Sequence, residues 1–473
     1  MAQNKHERLL YDRPLKAIIL FSLPIMASSL LQFMYNLVDN VVVGRYVGPE
    51  ALAAVGVVSP INSFIIGTCM GLSSGFSIPV AQAFGAGKSR QMNHYAGNSL
   101  SLCVLIGVGF AVFAEIFSTP LLRLIHTPDN VIDMASAYIG IIYLGIPVQM
   151  LYNNLTGIAR AVGDSKTPLY FLAVSTVVNL GLDLLFVGRF AMGVEGAAIA
   201  TLISQVISMV LAANYVLRRN KSLRIEKSDF RLQKQSCLHM LKIGVPLSLQ
   251  FTVTSIGSMC LQGAVNSFGS NVVAGFTAAG KVENIANIPL SGLGVSTATF
   301  ISQNFGAGNY AKIRKTVYRV LVLDIALSVF SSLFLLVTRD AVVPLFLTES
   351  NTAIRSAANS YLLAIAQCYS ILSVLYVLRN SLQGLGTTYA NAAAGAGELF
   401  GRIFVAYALK SVFGFSAVCY AGPVAWAFAD VALVFIFVRK MRRLKEMEKK
   451  AASLTEKRGA AGQNEKDVLK IQR

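Results

Sequence analysis

Long apolar segments, separated by Gly, Pro and charged residues, make up most of the chain. The first, Leu15 to Val43, is almost unbroken apolar sequence and is long enough to cross a bilayer with some tilt. Hydropathy and the punctuating residues together predict an all-α integral membrane protein with twelve spans. The expected spans are 15–43, 51–82, 95–117, 134–160, 167–188, 193–217, 239–267, 272–302, 315–337, 356–382, 389–410 and 418–438.

Composition agrees with this pattern. Of the 473 residues, 54% are hydrophobic and 14% are charged, whereas soluble domains carry about 25% charged residues. The first span is too long for a secretory signal, so we expect no cleaved leader. The net charge of +18 lies at span ends and in the tail, which favours topology signals over a nucleic-acid partner.

The basic residues also predict the orientation of the chain. With both termini on the same side, 33 of the 41 Lys and Arg residues, Arg160 and Arg379 among them, fall on that side, and six, Lys410 among them, fall on the other. The remaining two, Lys281 and Arg402, lie within spans. This bias predicts a multi-pass protein of the cell membrane with both termini in the cytoplasm. The charged segment 441–473 is expected to be a frayed helix or a disordered tail.

The chain repeats itself after about half its length. AQAFGAGKSRQ at 81–91 returns as SQNFGAGNYAK at 302–312, and SLPIMASSL at 22–30 returns as GVPLSLQFT at 244–252. Each repeat holds six predicted spans, so both repeats insert with the same orientation and a substrate site is expected between them. The predicted parts are a first lobe at 1–217, a linker at 218–238, a second lobe at 239–440 and the tail.

Four polar residues interrupt the apolar surface of the first span. Gln32, Tyr35, Asn36 and Asp39 follow helical spacing, so they share one face. A carboxylate at membrane depth costs about 2.5–3.5 kcal/mol on insertion scales. Asp39 is therefore expected to face protein or a water-filled cavity.

Three further polar residues are predicted to lie at the same depth as Asp39. They are Asn179 and Asp183 on the fifth span and Thr201 on the sixth. Two carboxylates in one low-dielectric site do not both stay ionised, so this group predicts proton coupling. The same oxygen atoms suit Na⁺. In the alternative interpretation, these side chains only hold helices together.

The second repeat lacks this pair, because Asp39 corresponds to Leu261 and Asp183 to Ala406. Glu398 and Arg402 are spaced as an intrahelical ion pair, which predicts a structural role. Glu283 is a candidate for attracting a cation into the cavity, and Lys281 needs other partners. The full set of candidate cavity residues is Gln32, Tyr35, Asn36, Asn153, Asn154, Gln250, Glu283 and Tyr376.

The sequence contains no enzyme signature. Its four histidines form no HExxH motif, and it has no Walker A motif. We therefore expect a protein that is not an enzyme, has no cofactor and uses an ion gradient of H⁺ or Na⁺. A membrane scaffold is the alternative outside transport, but it would need a large soluble domain, which the sequence lacks.

Taken together, residues 10–440 resemble the multidrug and toxic compound extrusion (MATE) family. The resemblance rests on the twelve spans in two parallel repeats and on the QAFGAG and QNFGAG motifs that close the second and eighth spans. It also rests on the first-span residues Leu23, Pro24, Gln32, Asp39, Val43, Gly44 and Gly48. The family resemblance implies export of bulky, often cationic, hydrophobic compounds by a single chain that rocks two lobes.

Within that family, Asp39, Asn179, Asp183 and Thr201 resemble the first-lobe cation site of the DinF-like and archaeal branch. The chain differs from the NorM-type branch, because its seventh span, 239–267, has no acidic residue. A lipid-linked saccharide flippase of the same superfamily is the alternative within transport. That function would need a cationic cavity for pyrophosphate, but only Lys281 and Arg402 lie in the middle of spans, and the spacing pairs Arg402 with Glu398.

Overall fold

The computed structural model describes residues 7–124, 129–342 and 352–471, and within them the chain is helical with no strand. In these residues eleven helices are long and apolar enough to cross a membrane, and a bent pair makes a twelfth span. The predicted all-α architecture is therefore confirmed. The first residues of the predicted first lobe (1–6) and the last two of the tail lie outside the described residues. The helices are α1 Arg8–Tyr11, α2 Pro14–Tyr46, α3 Pro49–Gly85, α4 Ser89–Leu124, α5 Asp129–Leu144, α6 Ile146–Ala161, α7 Lys166–Asp183, α8 Gly193–Asn214, α9 Lys234–Asn266, α10 Ser270–Gly306, α11 Tyr310–Val342, α12 Thr352–Gly384, α13 Tyr389–Phe404, α14 Lys410–Cys419 and α15 Ala421–Ile471.

Four predicted spans are not single regular helices, since the fifth and the sixth end in the π-helical turns Leu184–Arg189 and Tyr215–Arg219. The fourth bends by 44° between α5 and α6, next to Pro147, which has no amide to donate to the preceding turn. The eleventh combines α13, a π-helical turn and α14, and α14 is broken at Gly414, where φ is 61°. Lys410, the last residue of the predicted span, is the first residue of α14. The helix α15 continues into the predicted tail, as far as Ile471.

The first two helices of each half form the contact between the halves. Helix α2 packs on α10, and α9 packs on α3, so the first helix of each half meets the second helix of the other. The hydroxyls of Thr68 and Thr252 lie 2.7 Å apart across the α3–α9 contact. This reciprocal packing of first helix on second helix follows the internal repeat. It leaves a space between the two halves.

One end of the bundle is closed by repeat-related contacts. We call it the basic end, because the basic linker between α8 and α9 lies there. Gln82 Nε2 donates to the carbonyl oxygen of Gly384 at 3.2 Å, and Gln303 Nε2 donates to that of Ala161 at 2.9 Å. Each bond crosses from one half to the other. The two glutamines occupy the same position in the two FGAG motifs, so the motifs close this end.

Glycines of the same motifs allow the backbones to touch. A Cβ atom on Gly85 would lie 1.8 Å from the carbonyl oxygen of Gln303, and one on Gly306 would lie 1.9 Å from that of Gln82. Real Cβ atoms do not approach an oxygen so closely. The close packing of the basic end therefore requires glycine at both positions.

The linker between the halves is anchored on α4. Outside α8 and its terminal π turn, it contains the 3₁₀ turn Lys227–Phe230. Asn98 Nδ2 donates to the carbonyl oxygen of Asp229 at 2.8 Å, and Ser101 Oγ donates to that of Phe230 at 2.8 Å. These bonds tie the linker to the first half of the chain.

Candidate functional site

A polar cavity of about 370 Å³ lies in the first half of the chain. We call it the carboxylate cavity, because Asp39 of α2 is part of its wall. Helical spacing brings Gln32, Tyr35 and Asn36 to the same wall, which is the face that the sequence predicted.

Asp39 faces the second carboxylate of the site. Asp183 is the last residue of α7, directly before the π-helical turn Leu184–Arg189, and its side chain is fully buried. The two carboxyl groups interact with each other, and neither oxygen of Asp183 has a hydrogen-bond partner among the described residues. Among the described residues, no Lys or Arg forms an ion pair with either of them. A charge at this depth therefore needs a proton or a bound cation to neutralise it.

The other two predicted site residues lie nearby. Asn179 is one turn before Asp183 on α7 and is buried, and its Nδ2 has no hydrogen-bond partner in the described part of the chain. Thr201 of α8 accepts a hydrogen bond from the Tyr35 hydroxyl at 3.3 Å. The structure thus brings residues of α2, α7 and α8 together, with oxygen atoms that suit H⁺ or Na⁺. Their role in coupling stays a prediction.

A second cavity, of about 460 Å³, lies between the two halves. This inter-lobe cavity is lined from the second half by residues such as Phe251, Val295 and Thr299. Gln32 and Asn153 line both cavities, so the carboxylate cavity adjoins the inter-lobe cavity. Both volumes lie within the range of small-molecule sites, about 300–1,000 Å³.

Two predicted cavity residues face the interior of the protein instead. Asn154 is fully buried, accepts a hydrogen bond from Ser99 Oγ at 2.8 Å and donates to the carbonyl oxygen of Ser73 at 3.3 Å. It follows Asn153 directly, so the helix rotates its side chain away from the cavity. Gln250 is buried and accepts a hydrogen bond from Asn391 Nδ2 at 3.4 Å.

Two more lie within the second half and in neither cavity wall. Glu283 accepts a hydrogen bond from the Tyr361 hydroxyl at 2.7 Å. The Tyr376 hydroxyl accepts one from Asn287 Nδ2 at 3.1 Å. Both side chains are engaged between α10 and α12, which pack closely. Proposing them as cavity residues from polarity alone did not account for this packing.

The predicted ion pair in the second half has a third member. Glu398 and Arg402 are paired at 3.7 Å, and Arg379 forms a shorter contact with Glu398, at 3.1 Å. Arg402 also donates to the carbonyl oxygen of Thr254 at 2.7 Å and to Ser258 Oγ at 2.9 Å. One buried carboxylate thus pairs with two arginines. Arg379 was missed because it was assigned to the end of its span as a topology signal.

We expect Glu398→Gln to destabilise the protein strongly. The substitution removes the carboxylate that pairs with both arginines, and breaking a buried pair costs about 3–5 kcal/mol. Thermal unfolding in detergent and the amount of protein in membranes measure this loss. Glu195→Gln, which neutralises an exposed carboxylate on α8, is the control. A fully stable Glu398→Gln protein that has lost only transport would contradict the structural role.

Several polar residues of the cavity walls were not selected from the sequence. Asn62 of α3 and Tyr138 of α5 line the carboxylate cavity, and Arg160 of α6 lines the inter-lobe cavity. The sequence marks each of them only as a polar residue inside a predicted span or at its end. Polarity within a span does not determine which neighbouring helix or cavity the residue faces.

The sequence of this chain is similar to those of known proteins and matches one family model. The MatE family model matches residues 24–185 and again 246–408, with the spacing of the internal repeat. The probable multidrug resistance protein YoeA of Bacillus subtilis is 32% identical over 71% of this chain and 74% of its own length. YpnP of the same organism, also a probable multidrug resistance protein, is 31% identical over 79% of this chain and 83% of its own length.

Solved structures share the fold. An outward-facing multidrug resistance MATE family transporter of the MOP superfamily superposes with a TM-score of 0.88 at 24% identity, covering 94% of this chain and all of that one. At this identity the likeness concerns the fold. The two-lobed helical architecture is therefore shared with experimentally determined transporters.

Proposed function

Because the chain belongs to the MatE family of membrane transporters, we propose that it is a secondary antiporter. It exports amphipathic organic molecules, drugs and toxins among them, in exchange for H⁺ or Na⁺. The observation that carries the proposal is the Asp39–Asp183 pair, which has no basic partner among the described residues and lies beside the inter-lobe cavity. The relatives named as multidrug resistance proteins support the class of substrate.

The proposed cycle alternates between two states of the lobes. In the state described here the basic end is closed, and the opposite side supplies H⁺ or Na⁺ to Asp39 and Asp183. Binding of the cation favours release of substrate and reopening of the basic end. Coupling requires only that cation and substrate prefer different states of the protein.

The distribution of basic residues supports a location in the cytoplasmic membrane, with the basic end and both termini in the cytoplasm. The proposed transport unit is a single chain, because both cavities are formed by one copy.

Gradient-driven transport in inverted membrane vesicles tests the proposal. The vesicles contain the protein and receive a lipophilic fluorescent dye, with either an acidic lumen or a lumen loaded with Na⁺. We expect dye to accumulate with one of the two gradients and to leave again when that gradient is collapsed with an ionophore. Vesicles without the protein are the control. Equal dye levels with both gradients and without any gradient would overturn the proposal.

A further inference from the structure

An arginine that forms no ion pair with any described residue lies at the floor of the inter-lobe cavity. Arg160 is the second-last residue of α6, and its side chain lines the cavity together with Ala161 and Gln383. Ala161 is one of the residues that accept the closing glutamine bonds, and Arg160 and Gln383 each lie next to such an acceptor. Within the described residues, Arg160 forms no ion pair or hydrogen bond with another side chain.

The carboxylate nearest in sequence is already occupied. Asp164 accepts hydrogen bonds from the backbone amides of Lys166 and Thr167, at 3.0 and 3.1 Å. It also accepts hydrogen bonds from the hydroxyls of Thr167 and Tyr215. Asp164 therefore organises the turn between α6 and α7 and does not neutralise Arg160.

The other walls of the cavity suit an anion with an apolar body. Among the described residues that line it there is no Asp or Glu. Hydroxyl and amide groups surround the floor, including those of Ser77, Asn153 and Thr156, whereas Ile25 and Phe251 supply apolar surface. Arg160 is thus the one full charge in this wall, and a guanidinium away from bulk water favours a carboxylate or phosphate partner.

We propose that Arg160 binds the anionic group, a carboxylate or phosphate, of an amphipathic substrate in the inter-lobe cavity. The inference rests on the proposed transport function and specifies its substrate class. It differs from the expectation, taken from the family resemblance, that the exported compounds are often cationic. It also gives Arg160 a role in substrate binding. The sequence analysis counted this residue only as a topology signal, because it lies at the end of a predicted span.

A matched pair of dyes tests this assignment by binding. The probes are a rhodamine with a free carboxylate and the methyl ester of the same rhodamine, which differ only in that charge. Fluorescence polarisation with purified protein in uncharged detergent measures both affinities without any ion gradient. We expect wild type to bind the free acid with about tenfold higher affinity than the ester. One charge-assisted hydrogen bond contributes a difference of this size.

Variants separate recognition from folding. Arg160→Gln is expected to lose the preference for the acid while binding of the ester stays unchanged, which also shows that the cavity is intact. Arg160→Lys keeps the charge but not the planar fork, so it should retain part of the preference. Arg90→Gln removes an exposed arginine of α4 outside the inter-lobe cavity and should behave as wild type.

The same measurement distinguishes the source of the anion. Repeating it in nanodiscs with and without phosphatidylglycerol shows whether a lipid headgroup occupies Arg160. A lipid that abolishes the acid preference of wild type identifies the lipid phosphate as the occupant, and an unchanged preference identifies the soluble molecule.

The inference is overturned if wild type and Arg160→Gln bind acid and ester with the same ratio, whatever the transport assay shows. If the wild-type protein prefers the free acid in the binding assay but shows no gradient-driven transport in vesicles, only the proposed antiport is overturned.

Discussion

Asp39→Asn is expected to abolish gradient-driven dye transport, reducing it to the level of vesicles that lack the protein. Asparagine has almost the same shape as aspartate but neither takes up a proton at neutral pH nor carries the negative charge that attracts Na⁺. Asp39 and Asp183 face each other without a basic partner in the described part of the chain. The substitution therefore removes the group that would respond to the gradient.

Binding of dye without a gradient separates coupling from substrate recognition. We expect Asp39→Asn to reach the membrane in normal amounts and to bind dye with nearly unchanged affinity. Asp183→Asn should show the same loss of transport. Glu195→Gln is the matched control, because it neutralises an exposed carboxylate of the same lobe, and it should transport as wild type does. Undiminished gradient-driven transport by Asp39→Asn would reject the coupling role.

Gly85→Ala is expected to prevent closure of the basic end. The new Cβ would lie 1.8 Å from the carbonyl oxygen of Gln303, and backbone on both sides leaves no side chain that can rotate away. Overpacking of this kind costs about 1–3 kcal/mol, and each 1.4 kcal/mol shifts an equilibrium about tenfold. The closed state should therefore lose most of its population, and transport should fall with it.

Distances between spin labels measure this closure. Labels at the exposed positions of Lys88 and Tyr389, in a chain without its six native cysteines, report the separation of the lobes at the basic end. We expect longer distances in Gly85→Ala than in its parent. Gly109→Ala, where a Cβ meets nothing within 4 Å, is the control. Unchanged distances in Gly85→Ala would show that the contact does not limit closure.

Much of this protein follows from periodicity and charge, which are local properties of the chain. Long apolar segments can satisfy their backbone in a bilayer only as helices, so the spans followed from composition and punctuation. The repeat followed from the FGAG motifs, and the family model matches both halves. The face of α2 that carries Asp39 followed from helical spacing, since three to four residues make one turn.

Only the tertiary structure decided which polar groups meet. Asn153 and Asn154 are adjacent in sequence, yet one lines both cavities and the other joins α6 to α3 and α4. Arg160 and Arg379 both resembled topology signals, but the first faces the inter-lobe cavity and the second pairs with Glu398. Spacing along one helix assigns a side chain to a face, whereas the partner of that face depends on how separate helices pack. Sequence therefore determined the helices and their order here, and packing between helices decided the cavities, the buried ion pairs and the closed basic end.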